Sequence, residues 1–157
     1  IDLKSFNNDY YQKVCGASLK PVLNSISKMF EKGIWIEITT LIVPNQNDSQ
    51  EELKQIAEFI ADIDKNIPWH VSRFFPTYKM ASSTATPIST IEKAYLVGKE
   101  AGLNFIYAGN VKKDKMSNTY CPQCQSLLIE RTGYMVRNFL EDDTCSQCQT
   151  QLRGIFQ

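Results

Sequence analysis

Two Cys-x-x-Cys pairs, Cys121-Pro122-Gln123-Cys124 and Cys145-Ser146-Gln147-Cys148, stand twenty residues apart near the end of the chain. Thiolates at that spacing grip one metal ion from a tight knuckle, and a second knuckle brought alongside completes a tetrahedral four-sulfur site. The intervening residues can deliver it. Leu127–Arg131 and Tyr134–Phe139 are strand-like runs joined at Thr132-Gly133, where a hairpin turn is expected. Residues 118–157 therefore read as a zinc ribbon, within a small second domain spanning 112–157. Cys121, Cys124, Cys145 and Cys148 are its expected ligands. A closed four-thiolate set leaves no coordination position for a substrate, so the zinc would be structural, folding a segment with little core of its own. A rubredoxin-like iron site and a redox pair of disulfides are the competing readings. A nucleic-acid-binding ribbon would show a basic face, whereas Glu141-Asp142-Asp143 interrupts this one.

Composition narrows the rest. The chain has 157 residues, enough for one ordinary domain and an appendage, with 43% hydrophobic and 22% charged residues. Seventeen Lys and Arg balance seventeen Asp and Glu, so no net field favours nucleic acid or an anionic membrane. No apolar run approaches a membrane span and no signal peptide is visible. Five cysteines, four in metal spacing, suit a reducing cytoplasm. The opening on Ile1 reads most simply as an excised or processed segment.

Along residues 1–111 the hydrophobic period alternates between strand and helix. Residues 1–4 suggest the end of a strand, and a short helix runs to about Val14. Leu19 to Lys32 places Leu19, Val22, Leu23, Ile26, Met29 and Phe30 on one helical stripe, stopped by Gly33. Ile34 to Val43 is an apolar run expected to be a central strand covered on both faces. Ser49 and Glu52 form a capping box for the next helix. Trp69 to Phe75 is another strand, and residues 77–87 form a long connection of the kind that is functional or mobile. A helix from Ser89, boxed by Glu92, runs to Gly102. Asn104 to Ala108 is the last strand, and Gly109 to Asp114 leads out. Such alternation means a parallel sheet, whose ligands bind at the carboxyl ends of the strands. No internal repeat, GxGxxG, Walker A or GxSxG motif is present, nor a convincing nucleophile and base pair.

Asp2-Leu3-Lys4, Lys13 to Ala17, Thr40 to Pro44 with Asn47-Asp48, Trp69 to Phe74, Tyr107 to Val111 and Asn118 to Pro122 occur in that order. Together they resemble the C-terminal half of the AmmeMemoRadiSam-system radical SAM enzymes, relatives of the pyruvate formate-lyase activating enzymes. The resemblance implies that residues 1–111 are the C-terminal part of a partial (β/α)₆ barrel. It also implies, for the full-length parent, a four-iron, four-sulfur cluster that reductively cleaves S-adenosylmethionine to a radical, an oxidoreductase activity. The partners implied are the missing N-terminal half of the barrel and a protein or small-molecule substrate. The cluster motif Cys-x-x-x-Cys-x-x-Cys is absent from these residues, so this chain alone should not perform radical chemistry and no catalytic residue is assigned in it. The alternative is a non-catalytic zinc-ribbon module that binds a protein.

Asp2 and Lys4 match the activase Asp-x-Lys, and alternate strand positions let both face the barrel interior. One of Thr39 and Thr40 should also face it. Arg73 can clamp a carboxylate or pair with Glu37, and Tyr107 and Asn110 border the last strand's mouth, where Gly109 would let a ligand approach. The cofactor-side candidates are thus Asp2, Lys4, Thr39, Arg73 and Asn110. Phe75 stands where the wider family carries histidine, and a phenyl ring cannot replace its hydrogen bonds. His70 lies early in its strand and reads as structural. Cys15 reads as a small buried hydrophobe.

Overall fold

The computed structural model describes residues 1–111 and 114–155. The chain divides into two compact units, Ile1–Val111 and Lys112–Gln157. Lys112 and Lys113, in the expected exit segment, lie outside the described residues, as do Phe156 and Gln157 at the end of the expected ribbon.

In the first unit Asn7 caps α1 (Asn8–Tyr10), its side chain accepting from the Asp9 amide at 2.8 Å. A wider π turn, Tyr11–Cys15, follows and closes on Gly16 at φ 63. Cys15 is exposed there, not buried, because the turn packs only Tyr11 inward. Helix α2 (Leu19–Glu31) buries Leu19 and Ile26, and Gly33 at φ 74 ends it, its amide returning to the Phe30 carbonyl at 2.8 Å. Strand β1 (Ile38–Ile42) is shorter than the apolar run that suggested it. Ile34 is 51% exposed, since the chain does not meet a neighbouring strand until Ile38. Residues 1–4 contribute a single parallel bridge, Asp2 to Thr39.

Helix α3 (Gln50–Ile63) starts on Ser49, whose hydroxyl accepts from the Glu52 amide at 3.2 Å. The reciprocal half of the capping box does not form. The Glu52 carboxylate instead accepts from the Ser5 hydroxyl and from the Phe6 amide, tying the amino-terminal segment to α3. Strand β2 (Trp69–Arg73) precedes a long connection carrying a single 3₁₀ turn. Helix α4 (Ile88–Glu100) begins on Pro87, not on a Ser89 box, because the fixed proline φ is already compatible with helix entry and its carbonyl accepts from Thr90. Strand β3 (Ile106–Gly109) begins two residues later than expected and ends one residue later.

The three strands pair in parallel, in the order β1-β2-β3. Trp69 registers with Ile38 and Ile106, and His70 with Thr39 and Tyr107. That register fixes two unlike faces. Ile38, Thr40, Ile42, Trp69, Val71, Ile106 and Ala108 form the buried face, with Leu53, Ile56 and Ile60 of α3 and Ile91, Ala94 and Val97 of α4 in the same core. Each such aliphatic side chain contributes about 1.5–3 kcal/mol by leaving water. Gly98 lets α4 lie close, since a Cβ there would stand 2.8 Å from Ile106 Cδ1 and 3.1 Å from Trp69 Cε3. The other face carries Thr39, Leu41, His70, Ser72 and Tyr107, all half-buried. Among the described residues the sheet is covered on one face, not both.

The second unit is antiparallel. Strands β4 (Thr119–Tyr120), β5 (Leu127–Thr132) and β6 (Met135–Asn138) form one sheet, and β7 (Leu140–Glu141) with β8 (Thr144–Cys145) a second. Thr132 pairs with Met135 across the turn, where Gly133 takes φ 60. Every residue of β6 is exposed.

Candidate functional site

The two knuckles are built alike. The Cys121 amide donates to the Ser126 carbonyl at 2.9 Å, and the Gln125 amide to the Cys121 carbonyl at 3.0 Å. In the second knuckle Cys145 donates to Thr150 at 2.9 Å and Gln149 to Cys145 at 2.9 Å. Gln125 and Gln149 both adopt left-handed backbone, φ 61 and φ 59, which turns each hairpin past its second cysteine. The sequence does contain a short internal repeat after all: Cys-x-Gln-Cys-Gln followed by Ser126 or Thr150.

Cys121 Sγ lies 3.6 Å from Cys148 Sγ, and Cys124 Sγ 3.7 Å from Cys145 Sγ. All four sulfurs lie within 4.8 Å of one another. Four thiolates at metal–sulfur distances of about 2.3 Å define a tetrahedron of edge ~3.8 Å, so the donor set fits one tetrahedral ion. The contacts are too long for a disulfide, which needs about 2.05 Å. The group can hold a metal ion.

Two hydroxyls complete the surroundings. Ser126 Oγ lies 3.1 Å from Cys124 Sγ and 3.3 Å from Cys145 Sγ, and Thr150 Oγ1 lies 3.1 Å from Cys148 Sγ. Each can donate to a thiolate and disperse its charge. The Ser126 hydroxyl lowers the Cys145 thiol to about 6 and holds Cys124 below the usual thiol range. Burial has the opposite effect on Cys121, pushing it up to about 11. Sequence reasoning overlooked Ser126 and Thr150, although their equivalent places after each pair were the signal.

In the first unit Asp2, Lys4 and Thr39 come together. Lys4 Nζ meets Asp2 Oδ2 at 3.0 Å, and Asp2 bridges to Thr39 on the open face. Thr40 points the other way, donating to the Leu3 carbonyl at 2.9 Å and accepting from Trp69 Nε1 at 3.0 Å. Asn47 is a residue the sequence marked without revealing its task. Fully buried, it accepts from the Val43 amide at 2.7 Å and donates to the Leu41 carbonyl at 2.9 Å and to the Lys4 carbonyl.

Arg73 and Asn110 lie at the carboxyl ends of the strands. Arg73 Nε donates to the Thr86 carbonyl at 2.6 Å, and its guanidinium sits 4.7 Å from the Phe75 ring centroid. Asn110 Nδ2 donates to the Arg73 carbonyl at 3.0 Å. Glu37, one of the two partners the sequence offered Arg73, pairs with His70 at 2.7 Å instead. Gly109 is half-buried, and the space its missing Cβ would take is filled by Ser72 Oγ, 2.5 Å from that position.

No family model matches the chain. An uncharacterized protein of Methanocaldococcus jannaschii is 47% identical over 150 residues, covering 95% of this chain and 45% of that protein. The chain thus spans less than half the length of that relative. Among solved structures, a domain of the pyruvate-formate lyase-activating enzyme from Bacteroides vulgatus superposes with a TM-score of 0.59 at 20% identity. The match covers 70% of this chain and 65% of that one. No helix among the described residues is long and apolar enough to cross a membrane. Over most of its length the chain therefore shares its fold with a domain of an activating enzyme.

Proposed function

We propose that the chain is the C-terminal portion of a radical SAM enzyme of the pyruvate formate-lyase activating type, related to the AmmeMemoRadiSam group. The observation that carries this reading is the one-sided parallel sheet. Its helix-covered face is a core, while its other face is half-buried and lined with polar groups, as suits the lumen of a partial barrel. In this reading Asp2 and Lys4 address the amino-acid end of S-adenosylmethionine, the carboxylate accepting from an ammonium and the lysine donating to a carboxylate. Thr39, Arg73 and Asn110 complete this side of the cofactor and substrate site. The complementary half of the barrel is the partner that covers the open face and carries the iron–sulfur cluster, which supplies the electron for cleavage. The four cysteines hold a structural zinc.

A second reading, a non-catalytic zinc ribbon that binds a protein, draws on the exposed Tyr134, Met135, Val136 and Phe139. Metal analysis separates the two. The longer M. jannaschii relative and this chain would be purified without oxygen and their zinc, iron and visible spectra compared. One zinc in each, with about four irons and a broad visible band in the longer protein alone, is the expected result. A longer protein that takes up no iron after anaerobic reconstitution would leave only the second reading.

A further inference from the structure

Strand β6 is the last strand of its sheet, which runs β4-β5-β6 among the described residues. The Phe139 amide donates to the Leu128 carbonyl at 2.8 Å, and in an antiparallel pair such hydrogen-bonded positions alternate. Met135, Arg137 and Phe139 therefore turn their backbone groups toward β5, while those of Val136 and Asn138 point away from the sheet. Edges of this kind are ordinarily guarded by a bulge, a proline or an unpaired charge. Here β5 and β6 keep unbroken register, and no proline interrupts residues 134–139. The one charge of the strand, Arg137, is paired with Glu130 at 3.4 Å. The opposite edge is different, since β4 has two residues and an irregular register. Apolar surface lies along the unguarded edge: Tyr134 is fully exposed, Met135 65%, Val136 62% and Phe139 44%. At about 150–250 Å² for a large side chain, these four leave roughly 500 Å² in water. Two copies thus offer about 1,000 Å², the lower bound of a specific interface.

We infer that β6 is a docking edge for a second copy of this chain, the two β6 strands pairing antiparallel about a two-fold axis at Val136. Antiparallel partners must match outward-pointing residues, and the other axes fail on particular groups. A two-fold at Arg137 sets guanidinium against guanidinium. At Asn138 it calls on the Leu140 amide, which Asn138 Oδ1 already holds at 3.0 Å. At Met135 it sets Asn138 opposite Thr132, whose backbone is already paired with Met135 of its own chain. With the axis at Val136 the two valines face each other, Asn138 meets Tyr134 of the second copy, and Arg137 meets Met135. Phe139 then lies opposite Gly133, where the position of a Cβ has no atom within 4 Å and leaves room for the ring. Only the second unit is involved, so the pairing holds under either reading of function, and a failure of the iron analysis would leave it untouched.

Sedimentation of the zinc-loaded chain should show a reversible monomer–dimer equilibrium between about 1 μM and 1 mM. Reducing conditions keep the exposed Cys15 from forming a crosslink. Val136→Lys sets two ammonium groups against each other at the axis and should weaken association about tenfold or more. Cobalt bound at the four cysteines checks spectroscopically that this variant keeps its second unit. Leu96→Lys, at an apolar residue 58% exposed on α4, should leave association unchanged. Amide exchange tests the axis without any variant: the Val136 and Asn138 amides should slow as concentration rises, whereas the Arg137 amide, bonded to β5, should be slow throughout. A dimer that survives Val136→Lys, an equal loss in Leu96→Lys, or Val136 exchange independent of concentration would each overturn the inference. A chain still monomeric at about 1 mM overturns it even where an added extended peptide protects Val136, because the edge would then serve another protein.

Discussion

Replacing Thr40 by valine, beside the same change at Thr39, tests the two-faced sheet on adjacent residues. Valine keeps the shape of threonine and removes its hydroxyl. At Thr40 the loss strands two groups in the core, the Trp69 indole N–H and the Leu3 carbonyl, which its hydroxyl joins at 3.0 Å and 2.9 Å. Trp69 and Leu3 are both fully buried, so water does not replace the hydroxyl. Each stranded group costs roughly 1–3 kcal/mol, which puts Thr40→Val at about 2–6 kcal/mol. Thr39 is half-buried on the open face, where water serves a hydroxyl as well as protein does, and Thr39→Val should stay within about 0.5 kcal/mol. Both tryptophans lie in the first unit, so urea unfolding followed by fluorescence reports that unit without interference from the second. The midpoint should fall for Thr40→Val at constant slope. Equal midpoints for the two variants would refute the assignment of faces.

Asn47→Ala removes three hydrogen bonds from a fully buried position and should cost about 3 kcal/mol, with a local signature. The Leu3 amide, bonded to the Thr39 carbonyl at 3.0 Å, should exchange with solvent faster than amides of α3; unchanged exchange at Leu3 would contradict the tie. Removal of metal by a chelator should leave the thiols unequal. Iodoacetamide near neutral pH should label the exposed, lowered Cys124 well before the buried, raised Cys121, as peptide mass spectrometry would report. The metal-free fold favours the Cys121 thiol, a contribution present below the unfolded value and lost as pH climbs toward about 11. It favours the Cys145 thiolate, a contribution present above the unfolded value and lost as pH falls through about 6.

The gathering of the four cysteines was legible because each knuckle's geometry is local. A Cys-x-x-Cys knuckle needs only six residues, and the spacing sets which sulfurs can meet. Helix ends at Gly33 and Gly102 were legible for the same reason: each takes positive φ, which other residues adopt at a cost. The faces of the sheet were not. Ile34 to Val43 is apolar on both parities, and whether Thr39 or Thr40 turns inward depends on a register set by strands some thirty residues away. The Glu37–His70 contact is hidden in the same way, since its members lie 33 positions apart and meet only where the chain enters β1 beside β2. The Ser49 and Glu52 pattern misled more subtly. Its local half formed, but Ser5 and Phe6 supplied stronger partners for the carboxylate than the Ser49 amide.

Thr86 shows what the carboxyl ends of these strands require before any ligand arrives. A parallel ladder that stops leaves amides and carbonyls without neighbours, and here they are buried. Thr86 is fully buried, and its hydroxyl donates to the Ile42 carbonyl at 2.6 Å and accepts from the Phe74 amide at 3.1 Å, knotting the ends of β1 and β2. Its own carbonyl holds Arg73 Nε, and Asn110 reaches from the end of β3 to the Arg73 carbonyl. The long connection of residues 77–87 thus returns as a clasp at its far end. Arg73 and Asn110 serve the sheet with one edge each, the guanidinium through Nε and the amide through Nδ2. What they leave for a ligand, in the reading proposed above, is the guanidinium's terminal nitrogens and Asn110 Oδ1. Arg73→Lys puts a methylene where Nε donates, and Asn110→Asp replaces the Nδ2 donor by an acceptor, so each loosens the clasp and should destabilise the first unit by about 1–3 kcal/mol before any ligand is considered, as urea unfolding would measure.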